Sequence, residues 1–200
     1  MSTHRITLAV TGLATALVLT ACGNGGSTTD QSNASGSGTL SSSASVSTHN
    51  DADVTFAQQM TAHHQQAVEM ADLAATRAGN TQVKDLALRI KAAQGPEMET
   101  MTGWLHAWGA ETSMSGMDHD MGDMPDSMSS DDMDRLTGLS GSEFDREFLT
   151  MMTSHHQGAV DMATTEQVNG SNPDAIALAG QIVSDQTAQI GEMQSLLTQV

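Results

Sequence analysis

The chain is poor in cysteine and in aromatic residues. Of its 200 residues one is cysteine, Cys22, none is tyrosine, and 2% are aromatic. A single cysteine excludes an intramolecular disulfide framework and a metal site built from several thiolates. The scarcity of aromatic residues and the lack of a sustained alternation of apolar and polar residues argue against a β-sheet protein.

Basic residues are also scarce. The chain has 7 Lys and Arg against 24 Asp and Glu, which gives a formal net charge of −17 at pH 7. Such a charge repels nucleic acid and attracts cations. The same charge could serve solubility alone. The composition therefore argues against a nucleic-acid partner and is compatible with a cation-binding function.

The first 50 residues are unsuited to a packed core. Residues 1–21 combine Arg5, a short apolar run and small residues before Cys22, the pattern of a secretory signal peptide rather than of a spanning helix. The letters LTAC resemble the lipobox of bacterial lipoproteins, which implies a lipid anchor on Cys22 at the outer face of the cell membrane. A secreted protein with a chance cysteine is the alternative. Residues 22–50, rich in Ser and Gly, are predicted to form a flexible tether.

The rest of the chain contains an internal repeat. The stretch TAHHQQAVEMA at 61–71 returns as TSHHQGAVDMA at 153–163, 92 residues later. The same offset aligns further identical residues in both the histidine-bearing segment and the segment after it, among them Phe56 with Phe148, Met60 with Met152, Asn80 with Asn172, Gln94 with Gln186 and Met101 with Met193. A two-segment unit has been duplicated.

Each copy is predicted to form two helices. The first runs from about residues 50–53 to 79–80, and its copy from Ser142, with Asp145 as a capping-box-like partner, to 169–170. The second begins at Asn80 or Asn172, and Gly95-Pro96 should kink the earlier one. Short turns make paired helices antiparallel neighbours. The predicted fold is all-α, a four-helix bundle made of two duplicated helical hairpins at 51–108 and 142–200.

Residues 109–141 between the hairpins are rich in Met and Asp. From Gly109 to Asp134 no apolar period is visible, so a loop is expected. Exposed methionine gains no burial energy, whereas thioether sulfur binds Cu(I), and imidazole and carboxylate bind Cu(II). The alternatives are an acidic disordered linker and a Met-rich adhesive surface. The candidate loop ligands are Met114, Met117, Asp118, His119, Asp120, Met121 and Met124.

The two histidine segments supply the main candidate ligands. Helical spacing places an imidazole pair and two thioethers of each copy towards a shared interior: His63, His64, Met60 and Met70, and His155, His156, Met152 and Met162. These donors suit copper, and the lack of a Glu-x-x-His pair disfavours a di-iron oxidase. Gln94 and Gln186 could orient the imidazoles. The alternative is ordinary core histidines and space-filling methionines.

The doubled motif resembles a known bacterial family. The HHQxA-V-x-M-A segments, followed by Ala-x-x-Ile-x-x-x-Gln and Met-x-x-x-Leu, look like domain of unknown function 305, which includes the copper-binding CopM proteins. The resemblance covers about 53–108 and 143–200. It implies an extracytoplasmic ferritin-like four-helix bundle, often linked to copper tolerance and without an established enzymatic activity. It also implies ligand roles for His63, His64, His155, His156, Met70 and Met162, whereas the Met-rich loop lies outside the shared pattern.

The predicted function is a membrane-anchored lipoprotein that captures copper, as Cu(I) or Cu(II), outside the cytoplasm for tolerance, storage or delivery. A copper exporter or chaperone is the candidate protein partner, and other transition metals are alternative ions. Two further hypotheses stay open. One is a redox metalloenzyme, such as a cuprous oxidase, that uses the same residues, although the chain has no tyrosine to manage protons. The other is a structural or partner-binding surface lipoprotein without a metal.

Overall fold

The computed structural model of the protein describes residues 48–112 and 128–200. These residues form five helices, α1 (Asp51–Arg77), α2 (Thr81–Trp108), α3 (Ser130–Gly138), α4 (Gly141–Asn169) and α5 (Pro173–Leu197). Within the described ranges the β interaction is an isolated bridge between Ala78 and Gly141. The all-α prediction is confirmed. The predicted signal peptide, the lipidation of Cys22 and nearly all of the tether lie outside the described residues.

Asparagine side chains begin three of the long helices. Asn50 and Asp53 form a capping box at the start of α1, in which each side chain accepts a hydrogen bond from the backbone of the other. Asn80 caps α2, and Asn172 caps α5, whose first residue is Pro173. These caps satisfy backbone N–H groups that a helix start leaves without partners. Both copies of the repeat use the same residue type to start their second helix, as predicted.

The start of α4 differs from the prediction. Ser140 precedes α4 and makes no side-chain capping bond, and Gly141 adopts a positive φ of 65°. The capping box expected from Ser142 and Asp145 does not form. The Asp145 carboxylate instead accepts hydrogen bonds from the backbone N–H groups of Gly79 (3.0 Å) and Asn80 (2.8 Å). The prediction was wrong because it considered only local partners, and a buried carboxylate takes whichever donors the fold brings to it.

The same contact recurs at the other end of the molecule. Asp53, which stands 92 residues before Asp145, accepts hydrogen bonds from the N–H groups of Ser171 (3.1 Å) and Asn172 (2.9 Å). Each carboxylate therefore holds the turn of the other helix pair, and we call the two contacts the aspartate clamps. They place the start of α1 beside the end of α4 and the start of α4 beside the end of α1. Helices α1 and α4 are thus antiparallel.

The long helices pack mainly as three adjacent pairs. Helix α1 packs against α2, α4 packs against α5, and α1 and α4 pack against each other. The buried apolar side chains form two groups. The Met60 cluster comprises Phe56, Ala57, Met60, Met101, Leu105, Ala159, Met162, Ala163, Ala179 and Ile182. The Met70 cluster includes Met70, Leu86, Ile90, Phe144, Phe148, Met152 and Met193. Along α1 and α4, the histidine pairs fall between the residues of these two clusters.

Helix α3 was not predicted, and part of the predicted loop is folded. Ser129 and Asp132 form a capping box for α3, and Leu136 is fully buried. Arg135 donates a hydrogen bond to Glu147 of α4. A helix of 9 residues has too few turns to show a clear apolar period, and its single buried leucine was not a sufficient signal.

The end of the Met-rich segment is attached to α1. The Gln66 side chain donates to the carbonyl of Met128 (2.8 Å) and accepts from its N–H (2.7 Å). Met128 is 9% exposed, and Met133 packs against the Met70 cluster. These two methionines have a packing role, contrary to the expectation that the methionines of this segment are exposed. Gly158 stands at the position equivalent to Gln66 in the second copy, and α4 is continuous through it.

Candidate metal centre

Two histidines from the two copies of the repeat meet face to face. His63 of α1 and His155 of α4 are both fully buried, and their ring centroids are 3.6 Å apart with the planes tilted by 30°. Both residues lie near the middle of their helices. Because α1 and α4 are antiparallel and carry the same motif, the duplication brings equivalent side chains together at the centre of their contact.

The histidines of the second copy are held in the neutral form. Burial, together with the positive charge that His63, His156 and His64 would carry, lowers the pKa of His155 well below its ordinary value. Burial lowers the pKa of His156 to about 4, opposed in part by its hydrogen bond to Gln189. The neutral imidazole is the form that binds a metal ion. At neutral pH a metal ion therefore needs to displace no proton from these two rings.

The outer histidines turn towards α2 and α5. The Nε2 atom of His64 lies 2.6 Å from a carboxylate oxygen of Glu97, and the Nε2 atom of His156 lies 2.7 Å from the amide oxygen of Gln189. Each histidine is 33 residues before its partner. We did not single out Glu97 and Gln189 in the sequence, because they differ in residue type, although the 92-residue offset aligns them.

Gln94 and Gln186 were expected to orient the imidazoles. Both are buried, at 2% and 4% exposed. Within the described residues the amide N and O of Gln94 and the amide O of Gln186 have no hydrogen-bond partner. The outer imidazoles are hydrogen-bonded instead to Glu97 and Gln189, which lie three positions further along the same helices. The hydrogen-bonding partners of the imidazoles are thus nearly one helical turn away from the predicted glutamines.

The four candidate methionines of α1 and α4 are buried, and they lie on two sides of the imidazoles. Met60 and Met162 share the Met60 cluster, whereas Met70 and Met152 share the Met70 cluster. Each cluster thus contains one of the candidate methionines from each copy of the repeat. Met101 in the Met60 cluster and Met193 in the Met70 cluster were not among the predicted ligands. The sequence signal for these two was available, since the same offset aligns them.

The structure does not assemble every candidate into one ligand set. In residues 48–112 and 128–200, no group of three or more His, Cys, Asp or Glu side chains is arranged so that it could hold a metal ion. His63 and His155 are in contact, while His64 and His156 are directed to separate partners. The loop candidates lie outside the described residues: Met114, Met117, Asp118, His119, Asp120, Met121 and Met124.

The donor chemistry of the interior nevertheless fits a soft or borderline metal ion. The Nδ1 atoms of His64 and His156 are buried and have no hydrogen-bond partner in the described part of the chain. Leaving a buried polar atom without a partner costs about 1–3 kcal/mol. A bound ion would relieve that cost, and imidazole nitrogen with thioether sulfur is a donor set that suits copper.

A buried acid lies at the Asp53 clamp and has no counterpart in the first copy. Glu166 is 2% exposed, and Ala74 stands at the equivalent position. Burial, together with the Asp53 carboxylate beside it, raises the pKa of Glu166 to about 8. A Cβ atom at Gly170 would lie 2.7 Å from the backbone carbonyl oxygen of Glu166, so glycine is needed there. At neutral pH this carboxyl group is protonated beside the ionised Asp53.

Comparisons with known proteins agree with this arrangement of helices. The profile of the family described as domain of unknown function (DUF305) matches residues 53–197. A DUF305 protein from Streptomyces coelicolor, described as a candidate secreted protein, is 33% identical with a TM-score of 0.69, and the match covers 74% of this chain and 93% of that one. A DUF305 fragment from Deinococcus radiodurans is 30% identical with a TM-score of 0.69, covering 76% and 98%.

A third solved structure carries a metal. CopM in its Cu(II)-bound form is 33% identical with a TM-score of 0.64, covering 74% of this chain and 96% of that one. CopM structures in Cu(I)-bound and silver-bound forms are also similar. A search of curated proteins finds no match. No helix among residues 48–112 and 128–200 has the length and apolar character needed to cross a membrane. Because the family profile spans most of the sequence and these relatives are at least 30% identical, this chain belongs to the DUF305 family.

Proposed function

We propose that this protein is an extracytoplasmic copper-binding lipoprotein, anchored through Cys22, that sequesters, stores or delivers copper. The observation that carries the proposal is the contact between His63 and His155, two fully buried imidazoles whose ring centroids are 3.6 Å apart. The methionines of the Met60 and Met70 clusters flank this contact. The copper-bound forms of CopM give it further support.

The proposed architecture is a ferritin-like four-helix bundle made of two copied hairpins, α1–α2 and α4–α5. The 92-residue offset, the antiparallel contact of α1 with α4 and the reciprocal aspartate clamps support this architecture. In a bundle of this kind, ligands project inward from facing helices. The interior thus offers a site that excludes bulk water from the bound ion.

The residues proposed to hold copper are the four histidines together with buried methionines of both copies. Cu(I) favours thioether and imidazole donors, and Cu(II) favours imidazole with oxygen or nitrogen. Stacked imidazole rings do not aim their nitrogen lone pairs at one point. We therefore expect the side chains of His63 and His155 to rotate when an ion enters.

The Met-rich segment is proposed to recruit the ion. Its thioethers, at Met114, Met117, Met121 and Met124, and its His119 suit a flexible first binding step. The two hydrogen bonds between Gln66 and Met128 hold the C-terminal flank of this segment to α1, two residues after His64. A copper exporter or chaperone would then receive the ion from the protein.

Copper titration tests the proposal. Isothermal calorimetry measures Cu(II) binding, and competition with bicinchoninate measures Cu(I) binding. We expect affinity tighter than micromolar in at least one oxidation state and a higher melting temperature with copper, because a ligand that binds only the native state stabilises it. The variant with His63, His64, His155 and His156 all changed to Ala should lose this binding.

A matched control is available on α2. His106 is exposed, so His106→Ala removes one imidazole without changing the interior and should leave the affinity unchanged. Binding weaker than micromolar in both oxidation states, or tight binding that survives in the quadruple variant, contradicts the proposed site. Turnover of Cu(I) with oxygen that depends on the four histidines would instead assign the site to an oxidase.

A further inference from the structure

The two outer histidines have chemically different partners at equivalent positions. The offset of 92 residues relates His64 to His156 and also Glu97 to Gln189. Both imidazoles are fully buried, and both contact their partner through Nε2. This atom lies 2.6 Å from a carboxylate oxygen in the first copy and 2.7 Å from an amide oxygen in the second. The duplicated geometry is thus retained, while the charge of the partner is not.

The partners determine which nitrogen carries the proton. A carboxylate oxygen and an amide oxygen are acceptors, so Nε2 is the N–H donor in each ring when that ring is neutral. The lone pair then lies on Nδ1. In the described part of the chain the Nδ1 atoms of His64 and His156 are buried without a hydrogen-bond partner. In both copies Nδ1 is therefore the atom available to a metal ion.

The charge of the partner changes the donor strength of that atom. A carboxylate that accepts the other ring N–H makes a ligating imidazole more basic. The Glu97 side chain is 16% exposed beside the fully buried His64 ring, so its negative charge is only partly screened by water. The amide of Gln189 carries no net charge, and it cannot compensate the second positive charge of Cu(II).

We propose that Glu97 and Gln189 are positioning residues that make the outer imidazoles unequal copper ligands, with His64 favouring Cu(II) and His156 favouring Cu(I). This inference rests on the proposed function, because it concerns ions bound at the same histidines. The protein would then offer one preferred imidazole to Cu(II) and another to Cu(I), at equivalent positions of its two helix pairs.

The test exchanges the two partners. Glu97→Gln and Gln189→Glu replace each side chain by one of nearly the same shape, so the contacts are kept and the charge is changed. Cu(II) and Cu(I) affinities are measured separately by chelator competition on the full chain. We expect E97Q to weaken Cu(II) binding about tenfold, the lower end of the range for a lost outer partner, and to change Cu(I) binding by less than about twofold.

The reduction potential gives an independent readout. A tenfold change in the ratio of Cu(II) to Cu(I) affinity corresponds to about 59 mV for one electron. We expect the midpoint potential of bound copper to rise by about that amount in E97Q and to fall by a similar amount in Q189E. The electron paramagnetic resonance spectrum of Cu(II) should change in both variants.

The outcomes separate the inference from the proposed function. If the unmodified protein binds copper in neither state, the proposed function fails. If it binds copper but E97Q and Q189E leave the affinity ratio and the potential unchanged, the inference is overturned and the proposed function stands. A purely structural role would weaken both oxidation states equally and lower the melting temperature of the metal-free protein, which would also overturn the inference. If E97Q does not fold, Q189E alone tests the inference. A midpoint potential that fails to fall in Q189E would then overturn it.

Discussion

The helix pairs α1–α2 and α4–α5 have matching contacts at their ends and at their centre, but they differ in between. Asp53 and Asp145 clamp opposite turns through equivalent contacts, and His63 meets His155 at the middle. The repeat in the sequence accounts for these features. Positions where the two repeats differ are places where the two halves make different contacts.

Three such differences change a contact of the fold or of the candidate site. Glu97 in the first pair corresponds to Gln189 in the second, Gln66 to Gly158, and Ala74 to Glu166. The first changes the partner of a histidine, the second attaches the Met-rich segment to one pair only, and the third adds a buried acid to one clamp only. Each difference can be tested by changing one copy and comparing the result with the other.

Removing either aspartate clamp should give the largest loss of stability among these predictions. The two clamps should also differ in how much they stabilise the fold. Asp53 accepts hydrogen bonds from three residues, Asn50, Ser171 and Asn172, whereas Asp145 accepts from two. We expect Asp53→Ala to lower the free energy of unfolding by about 3–4 kcal/mol and Asp145→Ala by about 2 kcal/mol, since hydrogen bonds to charged groups contribute about 1.5–3 kcal/mol each and are not additive. Urea denaturation at pH 7 measures both, and equal losses would contradict the unequal clamps.

Removing one histidine pair at a time compares the two halves as copper ligands. We expect the double variant His63→Ala, His64→Ala to lose roughly 100-fold in Cu(II) affinity and the double variant His155→Ala, His156→Ala roughly tenfold, because only the first pair has a carboxylate partner. Chelator competition measures both values, and the melting temperature of each metal-free variant serves as the folding control. Equal losses would mean that the copies act as one symmetric site.

The attachment of Met128 distinguishes the first pair from the second. Gln66→Ala leaves the buried N–H and carbonyl of Met128 without their side-chain partner, so we expect the free energy of unfolding to fall by about 2 kcal/mol. Gln65 is exposed on the same helix, and Gln65→Ala should change stability by less than about 0.5 kcal/mol. Urea denaturation measures the free energy of unfolding of both variants. Similar free energies would show that the contact between Gln66 and Met128 does not stabilise the fold.

Ionisation of Glu166, the buried acid at the Asp53 clamp, should have the smallest effect on stability, and this effect depends on pH. The pKa of Glu166 is raised from 4.5 to about 8 in the folded protein. A raised pKa means that the folded state holds this proton more tightly, so its contribution to stability is complete below pH 4.5 and is lost as the pH rises through about 8. We expect the free energy of unfolding to fall by about 1–2 kcal/mol between pH 7 and pH 9.

Glu166→Gln supplies the control, because an amide does not ionise in this range. The difference in unfolding free energy between the unmodified protein and E166Q should therefore change with pH. A difference that stays constant from pH 6 to pH 9 would show that Glu166 does not hold its proton in the folded protein.

Sequence reasoning located the helices and the residues on their inner faces well. The period of apolar residues and the Asn caps are local signals, and the observed helices α1, α2 and α5 begin within a residue or two of the predicted starts. The repeat identified His63 and His155 as equivalent. Reasoning from local signals failed for Asp145, for α3 and for Met128, because the partners of these residues are 62 or more positions away or because the element is short.

What the sequence alone determined is the all-helical class, the internal repeat, the histidine and methionine positions and the acidic composition, since each follows from the order of residues along the chain. Only the tertiary structure decided which of these side chains meet. It joined His63 to His155, gave His64 and His156 partners of different charge, grouped the methionines across the two copies and raised the pKa of Glu166. Those outcomes depend on how antiparallel helices align and on burial, which are properties of packed segments that no single segment encodes.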